Sequence, residues 1–262
     1  MRLSIFTESL KQWFRDDMDY YAAAFSYYAP LALIPLILLS ILVSGFFYGR
    51  EFVTELFLSW GAILGSDVLA LISNAVTNLD AETHRSYSIP ILGLIFFSAV
   101  CVVAFNVLAI GFQRLWGTSD SGLGPWLKRS LRSVLLIIIL QVYLVLLIGF
   151  EGLLVKFLPF ADTTLVSTFF LLVHTTLLFT CMYHYLVPAA PSLKASFYGA
   201  LVASGLFLGA KSLVTVYLAT KSILTVFGAA GLILILLVWV YVLASIIYYG
   251  AVVAHQYDRI RS

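Results

Sequence analysis

Charged side chains are few in this sequence. Asp, Glu, Lys and Arg make up 11% of its 262 residues. A soluble domain usually carries about a quarter, so no water-facing globule can be built from this chain. Cysteine is nearly absent as well. Cys101 and Cys181 both fall inside apolar runs, which excludes a disulfide framework and a paired-cysteine metal motif. The formal net charge is only +2, and the basic residues sit singly at the ends of apolar runs. A nucleic-acid partner needs a dense basic face and is not expected.

Catalytic and cofactor motifs are missing too. There is no HExxH, and His174 and His184 have no acid near them in sequence. They fit neither a zinc site nor a nucleophile dyad. Gly205 to Ser212 superficially resembles a phosphate loop, but its glycine spacing is one short and Ala210 precedes Lys211. No enzyme activity, cofactor or metal is expected. A cleavable signal peptide is not expected either: Asp16, Asp17 and Asp19 stand where one would be positively charged, and the apolar run after them is too long.

What is abundant is hydrocarbon. Hydrophobic residues make up 62% of the chain, and its mean hydropathy is +1.02. Runs long enough to cross a bilayer, about 18 to 20 residues, occur at about 20–47, 88–112, 131–154, 165–187, 195–219 and 226–254. The fold expected is an all-α membrane protein, a six-transmembrane-helix bundle forming one membrane domain over 1–262. Residues 1–18 form an interfacial amphipathic helix, because Leu3, Phe6, Leu10 and Trp13 recur at helical spacing among Glu8, Lys11 and Arg15. Residues 50–87 mix apolar stripes with acids in stretches too short to span, and read as short extracytoplasmic helices between the first two spans, with a re-entrant hairpin as the alternative. Breakers separate the later spans: Asp120 to Pro125, Pro159, and Pro188 to Pro191.

Lys and Arg set the orientation. With six spans, Arg2, Lys11, Arg15, Arg114, Lys128, Arg129, Arg132, Lys194, Arg259 and Arg261 share one face, leaving five basic residues on the other. The positive-inside rule puts the first face, with both termini, in the cytoplasm. The location expected is a cytoplasmic membrane.

Polar groups at mid-bilayer depth are the functional candidates. Gln141 and His174 each lie about ten residues into a span, roughly 15 Å at the rise of a helix. Tyr27 and Tyr28 precede Pro30 and Pro35 in the first span, where prolines free backbone carbonyls and favour a bend. These six residues form a candidate polar cavity and hinge. The plainer alternative is that Gln141 and His174 hydrogen-bond across packed helices. Gly199 and Ala203, with Gly205 and Gly209, give small-residue spacings for close packing, within the chain or in a homo-oligomer. Asp16, Asp17 and Asp19 read as partners of a helix N-terminus before they read as a cation site.

The order of these features resembles the YihY/BrkB family of bacterial membrane proteins, formerly labelled ribonuclease BN. The resemblance rests on Ala22 to Tyr28 with Pro35, on Phe112-Gln113-Arg114-Leu115-Trp116-Gly117, on Lys128-Arg129-Ser130-Leu131-Arg132, and on Phe227-Gly228-Ala229-Ala230-Gly231, Trp239-Val240-Tyr241 and Gly250-Ala251. Val252 stands where the family pattern has an acid. The resemblance implies a six-helix inner-membrane protein with membrane lipids as neighbours, whose transported cargo would be a small molecule or a lipid. A scaffold that organises the envelope is the alternative. Ribonuclease activity is not expected, since the chain has no hydrophilic domain to hold RNA.

Overall fold

In a computed structural model, residues 2–49, 51, 54–55, 88–118, 122–157, 163–187, 191–219 and 222–261 are described. Seven helices lie among them: α1 (Arg2–Arg15), α2 (Met18–Tyr48), α3 (Ser88–Leu115), α4 (Leu123–Phe157), α5 (Thr163–Leu186), α6 (Leu193–Ala219) and α7 (Ser222–Arg261). No strand occurs among the described residues. The expected short helices of 50–87 fall almost wholly outside them.

Five helices, α3 to α7, are long and apolar enough to cross a membrane. In α2 the apolar stretch counted by the same measure is Leu39–Tyr48. Helix α2 itself is 31 residues long and continues through Pro30 and Pro35 without a break in its helical assignment. Ser26 donates its hydroxyl to the Ala23 carbonyl oxygen at 2.7 Å.

Helix ends differ from the hydropathy boundaries where breakers were read. Helix α4 begins at Leu123, upstream of the Leu131 start, and takes in Gly124 and Pro125. Pro125 sits in the first turn, where the missing N–H has no intrahelical partner to lose. Between α1 and α2 the chain turns within two residues because Asp17 adopts a left-handed conformation, φ 56°, a backbone state open to Asp as well as Gly. Asp19 then lies in the first turn of α2, beside the positive end of the helix.

The chain divides into two compact units: Met1–Pro30, Ala104–Leu136 and Ala161–Ser262, and Leu31–Val103 with Ile137–Phe160. Within α2 the division falls directly after Pro30. In the first unit α6 packs against both α5 and α7, and α1 lies on α7. Its core is aromatic. Phe112, Tyr183 and Tyr248 are fully buried, with Phe112 in edge-on contact with Tyr183 at 5.8 Å and Tyr248 at 5.4 Å. Tyr183 donates its hydroxyl to the Ile247 carbonyl oxygen at 2.7 Å, and the Tyr248 hydroxyl donates toward Leu108 at 3.3 Å. Buried phenols need such partners. Gly111 makes room for the Tyr248 ring, which a Cβ at that position would overlap.

In the second unit, Cys101 on α3 donates its thiol to the Ala32 carbonyl oxygen on α2 at 3.6 Å. Ser40 and Ser44 are buried on α2, the first bonded to the Leu36 carbonyl oxygen at 2.7 Å.

Candidate functional site

One end of the first unit gathers polar groups from four segments. The carboxamide of Gln12 on α1 is buried and hydrogen-bonds Asp16, His255 and Gln256. Trp116, just past α3, meets the His255 ring edge-on at 5.1 Å. Ser192, just before α6, donates its hydroxyl to Asp258 at 2.6 Å and accepts the Ala195 N–H at 3.3 Å as the cap of that helix. The N-terminal helix, the α3–α4 connection, the α5–α6 connection and the C-terminal end of α7 therefore share one end of this unit. Arg129 adds a bond from Nη1 to the Gln113 side-chain oxygen at 3.2 Å.

The face that α1 turns toward α7 is not its apolar stripe. Ser9, Gln12 and Trp13 are buried, whereas Phe6, Leu10 and Phe14 are exposed. Trp13 packs inward, against Tyr249 at 6.3 Å, whereas Phe6 and Leu10 of the same expected stripe do not. The arrangement has a physical reason. The last turns of α7 carry His255 and Gln256, which need hydrogen-bonding partners, so the polar side of α1 covers them and Phe6, Leu10 and Phe14 are left facing out.

The second unit holds a different kind of site. A groove of about 390 Å³ runs between α2 and α4, lined by Leu39, Val43 and Phe47 on one wall and by Ile137 to Leu146 on the other. Among the described residues Gln141 is the one polar residue in that lining. It is only 5% exposed, and among the described residues neither its Nε2 nor its Oε1 has a hydrogen-bond partner. A buried amide without partners costs roughly 1–3 kcal/mol. The rim is open: Phe47, Ile138, Val142 and Leu146 are all exposed.

A family model described as Virulence factor BrkB matches residues 9–262. The chain belongs to the BrkB family. No curated protein and no solved structure matches it. With five apolar membrane-length helices, it is a multi-pass membrane protein of that family.

The positions that carry the BrkB resemblance gather mainly at the polar end of the first unit. Gln113 is buried and bonded to Arg129, Trp116 touches His255, and Arg114 is exposed beside them. Gly250 lies at the α6–α7 contact, and Trp239 on α7 faces Phe207 on α6 at 6.2 Å. Gly228 lies within α7. Val252, at the place of the missing acid, is fully buried.

The cavity candidates are distributed differently. Tyr27 and Tyr28 meet edge-on at 5.2 Å, Tyr27 being exposed and Tyr28 half-buried. Pro30 is half-buried, and Pro35 lies within α2. His174 donates from Nδ1 to the Phe170 carbonyl oxygen of its own helix at 2.8 Å. Tyr27, Tyr28 and His174 belong to the first unit, Gln141 to the second, and none of those three lines the Gln141 groove.

Two features were not anticipated from sequence. The Gln12 cluster has only a weak signal there, a Gln beside Trp13 on an amphipathic helix. The other is a buried trio: Asn106 on α3 donates to Ser130 at 3.0 Å and accepts from Ser133 at 2.8 Å on α4. Asn106 lies within the second apolar run, and its partners lie about one turn apart in a stretch that is conspicuous in sequence for its basic residues. Among the described residues no group of His, Cys, Asp and Glu is arranged to hold a metal ion.

Proposed function

We propose that the protein crosses a bacterial or archaeal cytoplasmic membrane six times and moves a lipid or another small amphiphile across or along the bilayer. The observation that carries this reading is Gln141: a buried, unpartnered amide in an otherwise apolar groove. Such a group is unfavourable where it stands; its polar atoms have no exposed surface in the groove, so in this reading a ligand supplies its hydrogen bonds only once α2 and α4 part. In a bilayer the open rim faces lipid, so a membrane-dissolved molecule reaches the groove laterally.

In this reading α2 supplies the first of the six spans, and its prolines allow the first span to bend. Tyr27, Tyr28 and His174 stay candidates within the first unit. Both termini are cytoplasmic, as the excess of Lys and Arg on that face argues, and Phe6, Leu10 and Phe14 set α1 into the interface. The reading assigns no bond-making chemistry to the protein.

A non-transporting scaffold is the rival, and the bond of His174 within its own helix favours it. The test is to reconstitute the purified protein in liposomes and follow fluorescent lipids between leaflets, beside a Gln141→Leu/His174→Leu variant. Movement present in the wild type and lost in the variant is the expected result. Equal movement in both would remove these residues from the path, and no movement in the wild type would remove lipid translocation.

A further inference from the structure

The polar end of the first unit holds a groove of a different character. It encloses about 620 Å³ between α1 and the last turns of α7, with Lys11 and Arg15 on one wall and Arg259 on the other. Among the described residues Glu8 is the one acid in its lining, so three basic side chains face one carboxylate. The floor is neutral and fixed. Gln12 and Gln256 form it, and the Gln256 amide donates to the Gln12 side-chain oxygen. Gln12 is bonded to Asp16 and His255 as well. Two helices from opposite ends of the chain are thereby locked with their basic side chains around one opening.

The nearby acids hold these cations only in part. Glu8 and Lys11 pair at 2.9 Å with side chains 55% and 75% exposed, and an ion pair so open to water is worth little and is readily exchanged. Arg15 reaches Asp16 through Nε at 3.2 Å, and a guanidinium carries further N–H donors in the planar fork that suits a phosphate. Even with Asp16 counted, basic groups outnumber acidic ones.

What such a groove meets depends on its depth in the membrane. At about 100° per residue, the Lys11 and Arg15 flank of α1 and its exposed Phe6, Leu10 and Phe14 flank border the buried face of Ser9, Gln12 and Trp13 from opposite sides. A helix with an exposed apolar flank lies in the interface, its charged flank level with the headgroups. The groove is also larger than a phosphate ion alone fills, leaving room for the group that a headgroup phosphate carries. We propose that it binds the headgroup of an anionic phospholipid, Lys11, Arg15 and Arg259 taking the phosphate oxygens. The proposal rests on α1 lying at the membrane surface and not on transport through the second unit.

The test follows lipid binding to the full-length protein in detergent by native mass spectrometry. The probes are dioctanoyl phosphatidylglycerol and dioctanoyl phosphatidylcholine, with inorganic phosphate as competitor. Phosphatidylglycerol should bind about tenfold tighter than phosphatidylcholine, since basic side chains at a membrane surface attract a net negative headgroup. Lys11→Gln/Arg15→Gln/Arg259→Gln removes only exposed groups and should abolish that preference. Glu8→Gln removes the acid from the lining and should strengthen it, a gain that unfolding cannot mimic. Lys128→Gln/Lys194→Gln removes exposed basic groups outside the groove and should leave the preference unchanged. Equal binding of the two lipids to the wild type, a preference that survives the triple variant, one that is lost with Lys128 and Lys194, or no gain in Glu8→Gln would each overturn the proposal. Displacement of the lipid by inorganic phosphate at comparable concentration would overturn it too, in favour of a soluble phosphate. Absence of lipid movement in liposomes would remove transport and leave this site standing.

Discussion

Gly199 and Gly250 bring α6 and α7 together backbone to backbone. A Cβ added at Gly199 would overlap the Gly250 carbonyl oxygen and lie 2.7 Å from the Ala254 Cβ; one added at Gly250 would lie 2.7 Å from the Ala203 Cβ. The small-residue face is thus used within the chain. Gly205 and Gly209, on the same helix, have nothing within 4 Å of where a Cβ would stand.

The same substitution should therefore act in opposite directions at these positions. Gly250→Ala is expected to destabilise the protein by about 1–3 kcal/mol through overpacking against the Tyr183 hydroxyl, the Ala203 Cβ and the Gly199 carbonyl oxygen. Gly205→Ala should be neutral or stabilising by up to about 1 kcal/mol, the helix-propensity difference. Thermal unfolding in detergent checks this. Equal effects would mean that α6 and α7 do not approach as closely as described.

The Asn106 trio predicts non-additivity. Asn106→Leu strands the Ser130 and Ser133 hydroxyls in a buried site and should cost about 1 kcal/mol, within the range for hydrogen bonds between helices in membranes. Adding Ser130→Ala and Ser133→Ala should recover part of that loss, since removing all partners costs less than orphaning some. If the triple variant is less stable than the single one, the three groups do not act as one network.

Sidedness is testable by thiol labelling. In a Cys101→Ser/Cys181→Ser background, single cysteines at Gly117 and Ser192 should react with an impermeant reagent from the same side as one in α1 at Lys11. A cysteine at Gly49, beyond the far end of α2, should react from the opposite side. Because α1 and both connections meet the end of α7, a split among the first three would contradict the packing itself. Labelling of Gly49 from their side would instead remove α2 as a span.

Much of this was legible from residues in order. Helix content and membrane character follow from apolar runs too long and too uncharged for any other solvent. Gln141 could be singled out because a polar residue ten positions into a span has few benign explanations. The shared end of the basic residues also followed, because helices that cross a fixed thickness must return their connections to alternate sides, and the packing around His255 brings those connections together.

Other features depended on which neighbour each side chain meets, and periodicity carries no record of that. His174 and Gln141 looked equivalent by depth, yet one is bonded to its own helix and the other has no partner. The amphipathic pattern of α1 located two faces but not which of them packs. The polar needs of His255 and Gln256, some 240 residues away, turned Gln12 inward and left Phe6, Leu10 and Phe14 outside. The small-residue pairs of α6, Gly199 with Ala203 and Gly205 with Gly209, had the same spacing, and only the approach of α7 made Gly199 indispensable and Gly205 replaceable. Hydropathy, charge and helical period are properties of the chain taken locally, so the sequence by itself determined the all-helical class and the membrane as solvent. Orphaned amides, close contacts and buried networks arise from atoms distant in sequence, and only the tertiary structure decided them.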